Sequence, residues 1–159
     1  MIAKNELNEF LKHSNFIENE RSEQALQDAH RAWRFAFKHR KEINLQKILK
    51  IHWLLLRNIN PEIAGRFRDR NVWIGGKQKY FISEALLREE VVDWLEINNR
   101  LKSGDPKEAH IYFEHLHPFI DGNGRVGRIL YNIHRINLGQ KIHIIHEGNE
   151  QRQYYSWFS

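Results

Sequence analysis

Apolar residues recur at helical spacing in three segments of the chain, with polar residues at the positions between them. These apolar positions are Ala25, Leu26, Ala29, Ala32, Trp33, Ala36 and Phe37; Leu45, Ile48, Leu49, His52, Leu55 and Leu56; and Leu87, Val91, Trp94 and Leu95. Each set falls on one face of a helix. The pattern therefore predicts three amphipathic helices that pack around one core.

Two further helices are predicted from their end signals. One begins at Pro106, because proline is favoured at the first helical position, and ends just before Pro118, which disfavours helical backbone in the residue preceding it. The next runs from about Gly122 to Leu138, with Gly139 as its C-cap. A last short helix follows Asn149.

One stretch is typical of β structure. The runs Val72–Ile74 and Tyr80–Ile82 are β-prone and are separated by the glycine-containing segment 75–79, which predicts a hairpin. A single hairpin in a helical chain is typical of a surface flap. We therefore expect an all-α fold, a helical bundle with one β-hairpin flap.

The composition excludes some kinds of functional site but does not identify the function. With 159 residues, 41% of them hydrophobic, the chain can bury a single core. The absence of Cys excludes disulfides, thiolate zinc sites and thiol nucleophiles. The formal net charge of +5 suits a phosphate, a nucleotide or a nucleic acid. No targeting or membrane-spanning run is visible, so we expect a soluble cytoplasmic protein with no membrane partner.

The most informative segment is HPFIDGNGRVGR, from His117 to Arg128. A helix N-terminus rich in glycine offers unpaired N–H groups and a positive dipole end to an anion. Arg125 and Arg128 add two guanidinium groups on one helix face, and Asp121 beside them suggests a bridging cation. His117 titrates in the range needed to accept a proton. Together these residues predict a phosphoryl or nucleotidyl transfer site.

This segment matches the Fic (Fic/Doc) signature, H-x-F-x-[D/E]-G-N-G-R-x-x-R, at every defined position. Residues 64–75 resemble the part of the family that leads into its flap, and Arg152–Tyr155 resembles the R-x-x-Y segment after the signature helix. The resemblance covers most of the chain. It implies a single Fic domain over residues 1–159, built as a Fic-type helical bundle.

The resemblance also implies a reaction, the transfer of AMP from ATP to a protein hydroxyl with Mg²⁺. His117 would take the proton from a Ser, Thr or Tyr hydroxyl as it attacks the α-phosphorus, and Asp121 would hold Mg²⁺ between phosphates. The remaining signature residues would hold the polyphosphate: the backbone at Gly122, Asn123 and Gly124 as a cradle, Arg125 neutralising charge and Arg128 on the γ-phosphate.

The expected partners are ATP and a target protein, the chain itself being one candidate. The flap residues would line the nucleotide and dock the target as an added strand. They are Val72, Trp73, Ile74 and Gly75. Tyr154 and Tyr155 would lie near the adenine or ribose. The sequence identifies neither the target nor the oligomeric state.

A second motif near the N-terminus bears on regulation. Residues 14–19, SNFIEN, fit the family's inhibitory pattern [S/T]-x-x-x-E-[G/N], within a helix expected around residues 8–22. A carboxylate at Glu18 can pair with Arg128 and occupy the guanidinium that the γ-phosphate of ATP needs. The resemblance is to the class II members, which carry an N-terminal inhibitory helix in the same chain.

Other interpretations remain open. Related enzymes transfer UMP, phosphocholine or a whole phosphate, and some remove AMP, with the residue equivalent to Glu18 aligning water. A nucleotide- or nucleic-acid-binding module without catalysis is a third alternative, against which the intact His117 and Asp121 argue. The basic residues around the hairpin do not favour nucleic acid, because a charged flap beside a triphosphate explains them equally well.

The histidines and the glycines of the chain allow two further interpretations. The histidines at 110, 115, 117, 143 and 146 suggest a metal site, but packing or surface roles are favoured for those outside the signature. His52, on an apolar stripe, is expected to be a hydrogen-bonded core residue. The segment Gly122–Gly127 also spells the dinucleotide fingerprint G-x-G-x-x-G, which requires a preceding strand that this sequence does not predict.

Overall fold

The computed structural model of the chain describes residues 2–97 and 100–159, and the fold is all-α with one two-stranded hairpin, as predicted. Among these residues no helix is both long enough and apolar enough to cross a membrane. The elements are α1 (Lys4–Ile17), α2 (Glu23–Lys38), α3 (Leu45–Leu56), β1 (Val72–Ile74), β2 (Lys77–Lys79), α4 (Glu84–Glu96), α5 (Pro106–Leu116), α6 (Asn123–Asn137), α7 (Asn149–Tyr155) and a closing 3₁₀ turn (Ser156–Phe158).

Four of the helices begin at a polar side chain that accepts a hydrogen bond from a backbone N–H in the first turn. These N-caps are Ser22, Asn44, Ser83 and Asp105. Helix α6 starts differently. Its N-cap is Gly122, in the left-handed region at φ 86°, and no side chain caps it. The first-turn N–H groups of α6 are therefore not occupied by an N-cap side chain.

Helix α6 lies at the centre of the fold and packs against α1, α2, α3 and α5. From Asn123 to His134 every residue except Gly124 is buried. A helix covered on all sides holds its polar side chains in fixed surroundings. The arginines of the signature are therefore positioned by the core.

The hairpin is tighter than predicted. The register of β1 and β2 leaves only Gly75 and Gly76 in the turn, at φ 53° and 81°. Two successive positive φ values define the turn that best matches strand twist, and glycine adopts them without strain. The strand predicted at Tyr80–Ile82 is therefore wrong: pairing resumes at once on polar residues of low β-propensity. On an exposed hairpin, the turn decides the register.

Helix α1 also differs from the expected range 8–22, because it begins at Lys4 and ends at Ile17. A Schellman motif ends it. Asn19 has φ 56°, and the N–H of Glu20 donates to the carbonyl of Asn15 at 2.9 Å. The chain then turns and starts α2, so Glu18 is the C-cap of α1 and lies outside its regular turns.

Candidate active site

His117 lies where α5 ends, in the left-handed region at φ 47° and ψ 60°. Its Nδ1 is 3.1 Å from the carbonyl oxygen of Glu114. A carbonyl only accepts, so Nδ1 carries the hydrogen and Nε2 keeps its lone pair. Burial lowers the pKa of His117 below its usual value, although the Glu114 carbonyl acts against this. The imidazole is therefore neutral at neutral pH and has a nitrogen able to accept a proton.

Asp121 lies four residues further on, at the mouth of α6, and its side chain is 60% exposed. One carboxylate oxygen accepts from the N–H of Gly122 at 2.7 Å. The other is 3.5 Å from Nη2 of Arg125. Exposed carboxylate oxygens are suitable ligands for Mg²⁺. Asp121 is thus the residue of this loop best placed to hold a divalent ion.

The loop between α5 and α6 is closed by Asn123. Its amide oxygen accepts from the N–H of Phe119 at 2.9 Å, and its amide nitrogen donates to the Phe119 carbonyl at 2.8 Å. A Cβ on Gly122 would lie 2.8 Å from Leu56 Cδ2. Because the Asn123 side chain is turned inward, the loop presents its backbone to a ligand.

Arg125 and Arg128 are buried cations, 5% and 2% exposed. Arg125 has a buried Nε with no hydrogen-bond partner. Arg128 donates from Nε to Ser14 Oγ and from Nη2 to the Ser14 carbonyl, both at 2.9 Å. Its Nη1 is 3.4 Å from the Tyr154 hydroxyl. The structure thus brings the first residue of the N-terminal motif onto the last arginine of the signature.

Glu18 completes this contact. Its Oε1 accepts from Nη2 of Arg128 at 2.7 Å, and the Glu18 side chain remains 32% exposed. The carboxylate lies over the first turn of α6, in the space that a Cβ on Gly124 would occupy. The Schellman motif explains the last position of the pattern, because Asn19 adopts the left-handed conformation that ends α1 directly after Glu18. The predicted Glu18–Arg128 pair is therefore present.

Comparison with known proteins identifies a family match that includes these residues. The sequence model of the Fic/DOC family matches residues 42–134, which include the loop and most of α6. The chain belongs to the Fic/DOC family. Two curated relatives are "Protein adenylyltransferase Fic" of Drosophila grimshawi, 36% identical over 118 residues, and "Protein adenylyltransferase fic-1" of Caenorhabditis elegans, 37% identical over 103 residues. These matches cover 72% and 60% of this chain but only 24% and 20% of those proteins, so the chain spans about a quarter of their length or less.

Solved structures show the same fold. Fic-1 of C. elegans superimposes with a TM-score of 0.78 at 24% identity, covering 99% of this chain and 56% of that one. A Fic-domain-containing signaling protein of Bacteroides thetaiotaomicron gives 0.74 at 20% identity, covering 94% and 69%. The helical bundle with a single hairpin is thus the Fic fold.

Arg68 connects the flap of this Fic domain to the loop between α5 and α6, a role that the sequence did not show, although it placed Arg68 in the segment leading into the flap. Arg68 is 1% exposed. Its Nε donates to the carbonyl of His117 at 2.8 Å, and its guanidinium also donates to the carbonyls of Arg70 and Tyr80 at 3.0 and 3.3 Å. Because these carbonyls flank the hairpin, Arg68 couples the position of the flap to that of the loop.

The flap residues predicted from the family alternate between buried and exposed. Val72 is buried, Trp73 is 66% exposed, and Ile74 is intermediate. Within residues 2–97 and 100–159, β1 pairs with β2 alone. Its second edge is therefore paired with no other strand of these residues. Gly75 belongs to the turn and is exposed.

His52 supports the same loop from the opposite side, a role that the sequence did not show. Its Nδ1 accepts from the N–H of Gly65 at 2.9 Å, so Nε2 carries the hydrogen and donates to the Asp121 carbonyl at 2.9 Å. The ring stacks on Phe119, with centroids 3.9 Å apart. Burial lowers the pKa of His52 to about 4. His52 is the hydrogen-bonded core histidine that was expected, and it fixes the backbone of the metal-binding candidate.

A buried polar cluster lies behind Arg128. The Tyr154 hydroxyl is 2.7 Å from Nε2 of His110, while His110 Nδ1 and Glu114 Oε1 are buried without hydrogen-bond partners. Burial lowers the pKa of His110 to about 3. Burial also raises the pKa of Glu114 to about 7, although the positive charge of Arg128 acts against this rise. A Cβ on Gly127 would overlap Glu114 Oε1, so a larger residue at this position would displace the Glu114 side chain.

Tyr154 and Tyr155 differ in their exposure to solvent. Tyr154 is 3% exposed and packs in a small cluster with Ile17 and Ile145. Its ring is buried and its hydroxyl lies beside Arg128, which it supports in this structure, while the expected place beside the adenine or ribose stays a prediction. Tyr155 is 48% exposed and keeps the original prediction.

Proposed function

We propose that this Fic domain is a protein adenylyltransferase that transfers AMP from ATP to a hydroxyl side chain of a protein. The observation that supports this most directly is the tautomer of His117. The Glu114 carbonyl holds the hydrogen on Nδ1 and leaves Nε2 as a base at the end of α5. Asp121 and the uncapped start of α6 adjoin it. The names of the relatives, protein adenylyltransferases, agree with this chemistry.

The chemical step is an in-line displacement at the α-phosphorus of ATP. Nε2 of His117 takes the proton of the Ser, Thr or Tyr hydroxyl, and the hydroxyl oxygen forms a bond to the α-phosphorus. The bond from that phosphorus to the bridging oxygen breaks, and pyrophosphate leaves. Its negative charge is met by the α6 N-terminus and by Arg125. Atoms and charge balance without an oxidant or a reductant.

The phosphates are held by groups that the fold fixes in advance. The Asn123 side chain closes the loop through two hydrogen bonds to Phe119. The backbone N–H groups of the loop therefore need no rearrangement to face an anion. Arg128 is assigned to the γ-phosphate. Asp121 fits Mg²⁺ because its carboxylate is exposed and supplies the oxygen ligands this ion prefers. When bound, Mg²⁺ would neutralise phosphate charge.

We further propose that Glu18 restrains this activity. The guanidinium of Arg128 already donates to Glu18 and twice to Ser14, so its donors are largely taken. An ATP molecule that binds with Glu18 in place would meet a carboxylate where its γ-phosphate needs a cation. Displacing a reacting group by about 1 Å can lower the rate about 100-fold. The chain would therefore be autoinhibited until Glu18 leaves.

The target protein would dock on the second edge of β1. Strand addition uses backbone hydrogen bonds, and exposed Trp73 offers an apolar contact to one face. Arg68 links this hairpin to the carbonyl of His117, which keeps an added strand in register with the base. The partners are thus ATP and a protein presenting a hydroxyl in an extended segment. We propose the cytoplasm as the compartment.

Intact mass spectrometry after incubation with ATP and Mg²⁺ tests the proposal. The Glu18→Gly variant should gain one AMP, or label an added target from ATP radiolabelled at the α-phosphate, well above the wild type. His117→Ala in the same background should abolish the gain while its circular dichroism and melting temperature stay unchanged. No AMP transfer by Glu18→Gly to itself or to proteins of a cell extract would overturn the proposed function.

A donor panel separates the related activities. The same variant is incubated with ATP, GTP, UTP or CTP, and the mass added identifies the group transferred. Release of AMP from a labelled protein by the wild type, lost in Glu18→Gln, would instead indicate the reverse reaction with Glu18 aligning water. Salt-dependent binding to DNA or RNA without any covalent transfer would favour a binding module.

A further inference from the structure

A group of metal-binding side chains lies outside the catalytic centre, where α1 meets the segment leading into α7. Glu9 and His13 are one turn apart on α1, with Oε2 and Nε2 separated by 3.3 Å. The ring centroid of His146 lies 4.6 Å from that of His13. One ligand atom from each of these three residues lies within 4.8 Å of the others, the only such group in residues 2–97 and 100–159.

The geometry is close to that of a tetrahedral site. Metal–ligand bonds of about 2.0–2.1 Å place tetrahedral ligand atoms about 3.4 Å apart. The Glu9–His13 pair already has this spacing. His146 must approach by up to about 1.4 Å for the same geometry, and its side chain is 45% exposed. A water molecule can supply the fourth ligand.

Glu150 fixes the tautomer of the His146 imidazole. Its Oε2 accepts from Nδ1 of His146 at 2.8 Å, which puts the hydrogen on Nδ1 and leaves Nε2 free. The same oxygen accepts from the backbone N–H of His146 at 2.9 Å. A carboxylate on the far nitrogen is the usual outer partner of a metal-bound histidine. On His13 the cost is small, since Nδ1 would give up only a 3.5 Å contact with the N–H of Glu147.

We propose that Glu9, His13 and His146 bind a divalent transition metal ion of the zinc class, with Glu150 as the outer partner. Two imidazoles and one carboxylate favour Zn²⁺, Co²⁺, Ni²⁺ or Cu²⁺. They do not favour Mg²⁺, which requires oxygen ligands in octahedral geometry. The ion of this site and the Mg²⁺ of the transfer reaction would therefore not exchange places.

The site joins the helix that carries Glu18 to the C-terminal segment. The ion pair between Arg21, in the turn after α1, and Glu147, at 2.8 Å, already connects the end of α1 to this segment. A metal ion held by residues of both would fasten α1 in place and oppose the departure of Glu18 from Arg128. This regulatory consequence rests on the proposed function, whereas metal binding itself does not.

Calorimetric titration of the untagged chain with ZnCl₂ tests the site. The wild type should bind one ion, and His13→Gln and His146→Gln should each weaken binding at least 10-fold. His115→Gln is the matched control, because that histidine is exposed and on another helix, and it should bind like the wild type. Equal affinity in all four proteins would overturn the site, and melting curves verify that each variant is folded.

Hydrogen exchange of the wild-type chain tests the fastening of α1 without any substitution. Zn²⁺ should slow exchange in the second half of α1 several-fold, and Mg²⁺ should not. Unchanged exchange with bound Zn²⁺ would overturn the role of the ion in holding the helix.

Activity supplies a separate readout. Zn²⁺ should lower AMP transfer by the wild type and leave Glu18→Gly unaffected. Equal loss in both would place the effect of zinc at the catalytic centre and overturn the regulatory role. No transfer by either protein would count against the proposed function, with the metal site then judged by calorimetry alone.

Discussion

The carboxylate of Glu18 lies directly over Gly124, in the space that a side chain at this position would fill. Two segments of sequence more than 100 residues apart thus fit together: the carboxylate at the end of α1 lies where residue 124 of α6 has no side chain. The same glycine lies against Arg128, because a Cβ there would be 2.8 Å from Nη1. The absence of a side chain at Gly124 therefore leaves space both for the carboxylate of Glu18 and for the guanidinium of Arg128 in its present position.

Gly124→Ala should separate these two effects. The added methyl group would displace Glu18, which removes the restraint, but it would also displace Arg128, which the reaction needs. We expect no activation of the otherwise wild-type chain, and at least 10-fold less AMP transfer when Gly124→Ala is added to Glu18→Gly. Transfer assays on the single and double variants measure this. Full activity in the double variant would show that Arg128 does not need its present position.

The left-handed residue after Glu18 gives a second prediction. Asn19→Gly should preserve or strengthen the end of α1, because glycine adopts φ 56° without strain. Asn19→Val should weaken it by about 1–2 kcal/mol or more, since a β-branched residue is poorly tolerated there. If Glu18 restrains the enzyme, Asn19→Val raises basal AMP transfer and Asn19→Gly does not. Equal basal rates in the two variants would contradict the link between this turn and the restraint.

The local part of this site could be predicted from the sequence. The segment from His117 to Arg128 is contiguous, and residues 14–19 form one turn of helix and its end, so spacing alone was informative. Helix positions followed from periodicity and caps. The second strand was misplaced because the two glycines set the register and the strand itself carries no apolar pattern.

The supporting residues could not be predicted, because their partners are distant in sequence. Arg68 bonds to the carbonyl of His117, 49 residues away, and His52 to that of Asp121, 69 residues away. Their acceptors are backbone carbonyls, which every residue has. His52 belongs to no motif, and although Arg68 lies in the segment that resembles the family's flap, an arginine in a basic stretch gives no sign that it is buried.

His52 therefore provides a third prediction, for a positioning residue. His52→Leu would remove the partner of the Gly65 N–H and of the Asp121 carbonyl, both only partly buried, at a cost of about 0.5–1.5 kcal/mol each. We expect a lower melting temperature and, in the Glu18→Gly background, a lower kcat with a weaker response to Mg²⁺. His52→Gln can donate and accept through its amide and should restore part of both. Identical kinetics in the two variants would assign His52 a purely structural role.

Glu114 gives the last prediction, a stability that depends on pH. Burial raises its pKa to about 7 in the folded state, against an ordinary value of 4.5. The folded chain therefore holds this proton between pH 4.5 and 7 while the unfolded chain releases it, so ionisation destabilises the fold increasingly as pH rises through that window.

Glu114→Gln mimics the protonated carboxyl at every pH and removes this term. The variant and the wild type should be nearly equal in stability below pH 4.5, and the variant should gain up to about 3 kcal/mol by pH 8, because a difference of one in pKa is worth about 1.4 kcal/mol. The low pKa of His110 destabilises both proteins as pH falls below 6.5, so it largely cancels in the comparison. Urea unfolding from pH 4 to pH 8 measures the difference. A constant difference across this range would mean that the pKa of Glu114 is the same in the folded and unfolded chain, with Arg128 offsetting its burial.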